Sequence, residues 1–178
     1  LRTGYDMYKF SIEDDKKWFE FIVLDTFQAG LSWKIVLHKR EGFRNAFANF
    51  EVEKVARFTE AQTEKLREDK SIIRNKLKIK ATVTNAQAFI CIQKEFESFN
   101  NYIWDFVGGK PIVNHFENSK DIPAKTALSD ALSKDLYARG FKFVGSTICY
   151  AFMQAGGLVN DHTTDCFRHQ EIISLCAS

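Results

Sequence analysis

Residues that break helices are scarce in this chain of 178 residues. It contains 2 Pro and 9 Gly, many of them grouped within 107–111, 139–145 and 156–157. Between these groups apolar residues recur at helical spacing, and no alternating run is long enough for a sheet. The sequence therefore predicts an all-α fold with short turns. Its length suits one compact domain over 1–178, as a single body or as two small lobes.

Composition and charge exclude several other classes of protein. Aromatic residues make up 14% and apolar residues 45%, which is too rich for a disordered chain. The net charge of +2 comes from 25 basic and 23 acidic residues, so contact with DNA would need a local basic patch. No run of 18 apolar residues exists, which argues against a membrane span. The four cysteines form no CxxC pair, so we expect free thiols and a cytoplasmic location.

The helical segments can be placed from their apolar spacing and their capping residues. Asp14 suits the start of the first helix and Ser32 the N-cap of the second, while residues 59–62 have the form of a capping box. The predicted helical segments cover about 14–30, 32–39, 41–50, 59–68, 71–96, 100–107, 126–139 and 146–155.

Residues 126–157 form a predicted helical hairpin. Gly140 and Gly145 bracket its turn, and glycine permits a left-handed helix end and close approach of the backbone to a ligand. The second helix would present free N–H groups at its positive end, where a phosphate is stabilised. The candidate phosphate-binding residues are Gly145, Ser146 and Thr147, with Lys142 adding charge. An ordinary αα-hairpin without a ligand is the alternative.

The C-terminal tail, 158–178, contains two residues of the kind that bind zinc. His162 and Cys166 are four positions apart and supply half of a tetrahedral site. His169, Cys176 or His115 would complete it, and no spacing argument selects among them. A tail without metal is the alternative.

Several longer motifs occur in a fixed order along the chain. They are FQAGLSW, LHKREGFRNAF, IIRNKLKI, SDALSKDL, RGFKFVGSTICYAFMQAGGLVNDH and the final His-x-x-x-Cys. Together, from about Asp14 to His169, they resemble the 3-methyladenine DNA glycosylase I family. This resemblance implies a helix-hairpin-helix fold, with the 140–147 turn gripping the DNA backbone. It also implies hydrolysis of the N-glycosidic bond of 3-methyladenine, which leaves an abasic site in an uncut strand.

The resemblance also implies partners and cofactors. The substrate would be double-stranded DNA containing alkylated adenine, and we expect the protein to act on it as a monomer, without a membrane. No catalytic cofactor is expected. One structural zinc ion would tie the two termini together.

Carried over by position, the family's site residues fall on two parts of this chain. Asp25 would bind the alkylated base and serve catalysis, Trp33 would stack on the base, and Tyr5 would contribute a further aromatic contact. Gly30 and Leu31 would enter the gap left in the duplex. The chemistry suits these residues: stacking contributes about 1–3 kcal/mol per base, and a carboxylate accepts hydrogen bonds from the exocyclic amine of adenine.

The chain departs from the family pattern at two places. Where the family has Tyr-His-Asp-x-Glu-Trp-Gly-x-Pro, this chain has YDMYKFSIEDD, without the zinc-binding His and the pocket Trp. Asp25 stands where the family has Glu. Trp33 as an ordinary core residue and Asp25 as a helix-surface acid are the structural alternatives. The functional alternative is a non-catalytic or diverged helix-hairpin-helix protein that binds damaged DNA, and release of free base distinguishes it from an enzyme.

Overall fold

The computed structural model describes the backbone of residues 14–176 and the side chains of residues 14–174. Tyr5 and the divergent stretch 5–13 lie outside the described residues. The helices are α1 (Asp15–Gln28), α2 (Trp33–His38), α3 (Arg40–Ala46), α4 (Val52–Ala56), α5 (Glu60–Leu66), α6 (Lys76–Phe96), α7 (Phe99–Asp105), α8 (Ala127–Ala138), α9 (Ser146–Ala155) and α10 (Phe167–Cys176). A 3-10 turn covers Ala48–Phe50. Two short strands, β1 (Ile112–Val113) and β2 (Val159–Asn160), pair in parallel.

Most predicted helices are present, and their predicted caps explain where several begin. The Asp14 carboxylate accepts from the Lys16 N–H at 2.9 Å and starts α1. Thr59 and Gln62 form the predicted capping box of α5. Within residues 14–176 the fold is helical apart from the one short strand pair, as the scarcity of breakers predicted. No helix in this range is both long and apolar enough to cross a membrane.

One predicted helix start was wrong, and some elements were not predicted. The long helix α6 begins at Lys76 rather than near Ser71, because the Asn75 side chain caps it by accepting from the Lys78 N–H at 3.1 Å. The Ser71 N–H instead donates to the Asp69 carboxylate in a turn. Helix α4 was not predicted, and the tail contains α10 as well as β2.

Helix α1 forms the centre of the core. Every residue from 18 to 27 is buried, so this helix is surrounded on all sides. The Trp18 ring lies 5.1 Å from Phe152 of α9, and Phe19 lies 5.6 Å from Phe89 of α6. At the other end of α1, Phe27 packs against Phe43 of α3. These contacts fix the position of the C-terminal end of α1, which leads directly into the QAGLSW stretch.

Candidate functional site

The QAGLSW stretch forms a tight turn between α1 and α2. The Leu31 N–H donates to the Gln28 carbonyl at 2.7 Å, and the Gln28 side chain donates back to the Leu31 carbonyl at 2.8 Å. Gly30 between them has a φ of +81°, which favours glycine. A side chain at Gly30 would meet no atom within 4 Å, so this part of the turn faces open space. Leu31 is 38% exposed at the tip.

Trp33 is the first residue of α2 and follows Ser32, the N-cap. Its side chain is half-buried and packs at the edge of the hydrophobic core. It is therefore not sealed inside the protein, as an ordinary core tryptophan would be. Part of the Trp33 ring is therefore accessible for a base to stack on.

Asp25 is an unusual buried acid. It is 2% exposed, which excludes the alternative of a helix-surface acid. Neither carboxylate oxygen has a hydrogen-bond partner among the residues that the structure describes. Burial therefore raises the pKa of Asp25 well above its ordinary value of 3.8. An unpaired buried carboxylate is costly, and it persists where a ligand supplies the missing partners.

The other buried acid of α1, Glu20, shows what a structural acid looks like in this protein. Its carboxylate accepts from Arg40 at 2.7 Å and Lys17 at 3.3 Å, with Arg44 at 3.8 Å. Burial alone would raise the pKa of Glu20, but the hydrogen bonds and charges of Arg40 and Lys17 together outweigh this and hold its pKa below the ordinary value. Asp25, five residues along the same helix, has no such cation. Asp25 therefore lacks the compensation that Glu20 has for its burial.

Helix α6 holds the QAGLSW turn through Lys78. The buried Lys78 ammonium donates to the carbonyls of Phe27 and Ala29, at 3.1 and 2.6 Å. These two carbonyls lie at the C-terminal end of α1, where carbonyl groups have no N–H partner within the helix. The same ammonium lies 6.0 Å from the centre of the Phe143 ring, in the turn of the hairpin. Sequence reasoning missed Lys78, because its partners are 49 and 51 residues away.

The hairpin turn between α8 and α9 is also attached to α6. The Asn85 side chain donates to the Lys142 carbonyl at 3.1 Å and accepts from the Lys142 N–H at 2.7 Å. On the other side, the Ser133 hydroxyl donates to the Val144 carbonyl at 2.7 Å. Between these two attachments Phe143 has a φ of +58°, a conformation that costs on the order of 1–3 kcal/mol for such a residue. The turn is therefore held in a defined shape, and sequence reasoning missed Asn85.

The start of α9 faces outward and has no side-chain cap. Gly145 has an ordinary φ of −61°, and a side chain there would meet nothing within 4 Å. A glycine at 145 therefore leaves the space beside the helix start open, and its backbone does not require glycine. Gly140, with a φ of +99°, ends α8 as predicted. Thr147 and Lys142 are exposed. The Ser146 hydroxyl lies 2.8 Å from the Ser129 hydroxyl of α8.

His162 and Cys166 lie close together in the tail. The His162 Nδ1 and the Cys166 Sγ are 3.7 Å apart. Within the described part of the chain no group of three or more His, Cys, Asp or Glu side chains could hold a metal ion. His169 is buried with its Nε2 at 2.9 Å from the Asn114 carbonyl, and its ring contacts that of His115. Neither His169 nor His115 therefore completes the pair, and the Cys176 side chain lies outside the described range.

A buried network fixes the tail beside α9. The Asp161 carboxylate accepts from the Asn114 amide at 2.7 Å, the Tyr150 hydroxyl at 2.6 Å and the Gln154 amide at 2.5 Å. Tyr150 and Gln154 belong to α9, and Asn114 follows β1. The network therefore places His162, the next residue, at a defined position relative to the hairpin.

Comparison with known proteins gives a consistent result. A family model described as methyladenine glycosylase matches residues 7–169. A DNA-3-methyladenine glycosylase of Haemophilus influenzae is 47% identical over 153 residues, which cover 86% of this chain and 83% of the relative. DNA-3-methyladenine glycosylase 1 of Escherichia coli is 50% identical over 153 residues, covering 86% and 82%.

A solved structure also resembles the chain closely. A variant 3-methyladenine DNA glycosylase I in complex with 3-methyladenine superposes with a TM-score of 0.86 at 35% identity. The superposition covers 88% of this chain and 84% of the other. The helical architecture is therefore shared over almost the whole of the described range.

Proposed function

The chain belongs to the methyladenine glycosylase family, and we propose that it excises 3-methyladenine from alkylated DNA at a pocket formed by Asp25 and Trp33. It is a DNA N-glycosylase, a hydrolase of DNA repair. The observation that supports the pocket is the burial of Asp25. This residue is 2% exposed, and neither of its carboxylate oxygens has a hydrogen-bond partner among the described residues. It lies one helical turn before the QAGLSW turn, which presents Trp33.

The reaction requires little covalent chemistry from the protein. Adenine methylated at N3 is positively charged while attached to the sugar and leaves readily. A water oxygen forms a bond to C1′ and releases a proton, while the C1′–N9 bond breaks and its electron pair neutralises the base. Binding the extruded base therefore does most of the catalysis, since extrusion costs a few kcal/mol and costs least for a damaged base.

Asp25 and Trp33 supply that binding. The Asp25 carboxylate accepts hydrogen bonds from the exocyclic amine and balances the charge of the base, in surroundings that strengthen such bonds. The Trp33 indole stacks on the base, and a cation is further attracted to the ring face. Asp25 need not act as a general base. Tyr5 is proposed as a second aromatic contact on the strength of the family resemblance alone.

The DNA duplex is bound by two exposed elements. Gly30 allows the backbone to approach the duplex, and Leu31 fills the space that the extruded base leaves. The backbone N–H groups at the start of α9 and the Lys142 ammonium bind a phosphate of the strand. The proposed substrate is therefore double-stranded DNA, which the protein binds as a monomer in the cytoplasm.

One structural zinc ion is proposed at His162 and Cys166, with no catalytic cofactor. The Nδ1 to Sγ separation of 3.7 Å is close to that of two ligands of one tetrahedral zinc, for which bond lengths of about 2.0 and 2.3 Å give roughly 3.5 Å. When bound, the ion supplies a crosslink between the tail and the ligands that complete its coordination. The excision reaction does not use it.

A matched pair of tryptophan variants tests the pocket. We expect Trp33→Ala to lower the rate of 3-methyladenine release from methylated duplex by about 10- to 100-fold, because stacking is worth about 1–3 kcal/mol. Trp104→Ala is the control: Trp104 is also half-buried at the edge of the core, but on α7. Chromatography of the released base measures both.

The outcome that contradicts the pocket is an equal rate for Trp33→Ala and the parent, with both variants folded by circular dichroism. Tight binding of methylated duplex by the parent chain, without release of free base, would instead identify a damage-binding protein.

A further inference from the structure

The residue after Asp25 shares its unusual feature. Thr26 is 1% exposed, and its hydroxyl has no hydrogen-bond partner. Among the side chains of residues 14–174, the only buried polar atoms in this state are the Thr26 Oγ1 and the two Asp25 oxygens. An unsatisfied buried hydroxyl costs about 1–3 kcal/mol. All such atoms in the described region thus occur at two consecutive positions of α1.

Other threonines in helices of this protein satisfy their hydroxyls locally. The hydroxyls of Thr63, Thr82 and Thr84 each donate to a carbonyl one turn earlier, at 2.8, 2.9 and 3.3 Å. This back-bond is the usual solution for a helical threonine. Thr26 does not form it, although the Ile22 carbonyl lies one turn before. Its hydroxyl is therefore free to bond with a ligand.

Helical spacing shows which neighbours Asp25 faces. Trp18 lies seven residues earlier, nearly two turns, and packs against Phe152 of α9. Asp25 therefore also faces α9. The pKa of Cys149, on α9, supports this: burial raises it to about 12, and the nearby charge of Asp25 adds to the effect.

The same spacing places Thr26 on the adjoining side of α1. Phe19 lies seven residues before Thr26 and packs against Phe89 of α6. Thr26 therefore faces α6, while Asp25 faces α9. The hairpin turn leads into α9 and is attached to α6, because Asn85 of α6 binds its backbone. The two unsatisfied groups thus flank one region, at the end of α1 that leads into the QAGLSW turn.

We propose that the Thr26 hydroxyl is a second hydrogen-bonding group for the extruded base, donating to a ring nitrogen beside the amine that Asp25 binds. This inference rests on the proposed function. Adenine presents an N–H donor next to a ring-nitrogen acceptor. A carboxylate supplies only acceptors, whereas a hydroxyl supplies the complementary donor. Guanine presents a carbonyl oxygen, an acceptor, in place of the amine, and cannot donate to the Asp25 carboxylate, so the pair selects adenine.

Thr26→Val tests the inference because it removes the hydroxyl and keeps the shape. We expect this variant to bind free 3-methyladenine about 3- to 10-fold more weakly than the parent, as one lost hydrogen bond predicts. Thr26→Ser, which keeps the hydroxyl, should restore the affinity. Titration of 3-methyladenine followed by NMR measures each dissociation constant. Thr26→Ala replaces Thr26→Val if the valine variant does not fold.

Thr82→Val is the matched control. Thr82 is also 1% exposed and helical, but its hydroxyl bonds to the Lys78 carbonyl. We expect this variant to be less stable than the parent and to bind the base unchanged. An unchanged affinity in Thr26→Val, or an equal loss in Thr82→Val, overturns the inference.

Asp25→Asn, titrated alongside, separates this inference from the proposed function. If Asp25→Asn loses the base while Thr26→Val retains it, Thr26 is not a base contact and the pocket stands. If neither variant affects binding, the pocket itself is wrong.

Discussion

At the scale of the residue, the protein distinguishes two buried acids on one helix. Glu20 is surrounded by cationic side chains, whereas Asp25 has no hydrogen-bond partner among the described residues. The sequence alone identified Asp25 as a base-binding candidate from the apolar run around it and from the family resemblance. It did not identify Gln28, Lys78 or Asn85. The contacts of Lys78 and Asn85 join positions about fifty residues apart, and no local pattern records such contacts.

The raised pKa of Asp25 predicts a pH dependence of stability. The folded protein keeps the Asp25 proton at pH values where the unfolded chain, with a pKa near 3.8, has lost it. The free energy of unfolding therefore falls as pH rises above that value, by up to about 1.4 kcal/mol per pH unit until the folded-state pKa is reached. Asp25→Asn removes this dependence. We expect its stability relative to the parent to increase as the pH rises above about 4 in urea unfolding.

The comparison isolates one group, since all other titrating residues are common to both proteins. Unfolding free energies of parent and Asp25→Asn that run parallel across this pH range would show that Asp25 titrates normally. They would remove the main electrostatic support for the pocket.

At the scale of the element, capping chemistry made some helices predictable and tertiary contact decided the others. Thr59 and Asn75 are both caps, but only the first was recognised, because its partner Gln62 completes a known pattern. Helix α4 has only five residues, too few for an apolar period to be detected. The hairpin was predicted at nearly its observed bounds because glycines mark its turn. Its strained Phe143 backbone could not be foreseen, since Asn85 and Ser133 hold it from other helices.

The hairpin predicts how DNA affinity responds to Gly145→Val. The backbone at Gly145 accepts any residue and has open space around it, so the variant should fold. Its side chain would stand where a phosphate approaches the start of α9. We expect binding to methylated and unmethylated duplexes to weaken by the same factor, about 2- to 10-fold, because contacts with phosphate carry no sequence information.

Fluorescence anisotropy with labelled duplexes measures both affinities, and Gly145→Ala should give a smaller loss. A loss restricted to the methylated duplex would place Gly145 in the base pocket and contradict the phosphate-binding role.

At the scale of the whole molecule, the tail is part of the fold. Its strand pairs with β1, the Asp161 network joins it to α9, and α10 follows. The sequence predicted an all-helical domain correctly, because helical period and breakers are local properties. The tail was described only as a segment bearing His162 and Cys166, since the parallel strand pairing joins residues 47 apart, Ile112 with Val159.

The proposed zinc site predicts the effect of metal removal on this arrangement. We expect about one zinc ion per purified chain by elemental analysis, and a decrease in melting temperature of about 5–10 °C on chelation, because structural zinc contributes to folding. His162→Ala and Cys166→Ala should each lose the metal. His115→Ala should retain it, because His115 is exposed and is not part of the pair. Metal-free parent protein, or loss of metal in His115→Ala, contradicts the site.

Helix α6 has a consequence for how damage is found. Lys78 and Asn85 attach the QAGLSW turn and the hairpin turn to the same helix, two helical turns apart, so the spacing of these two turns is preset. In the proposed function, a duplex that contacts both turns has to fit this preset spacing, and the energy of fitting it depends on the local stiffness of the DNA. A weakened base pair lowers that energy. In the proposed function, the sites that deform most easily are therefore the ones at which both turns make contact, before any base enters the pocket.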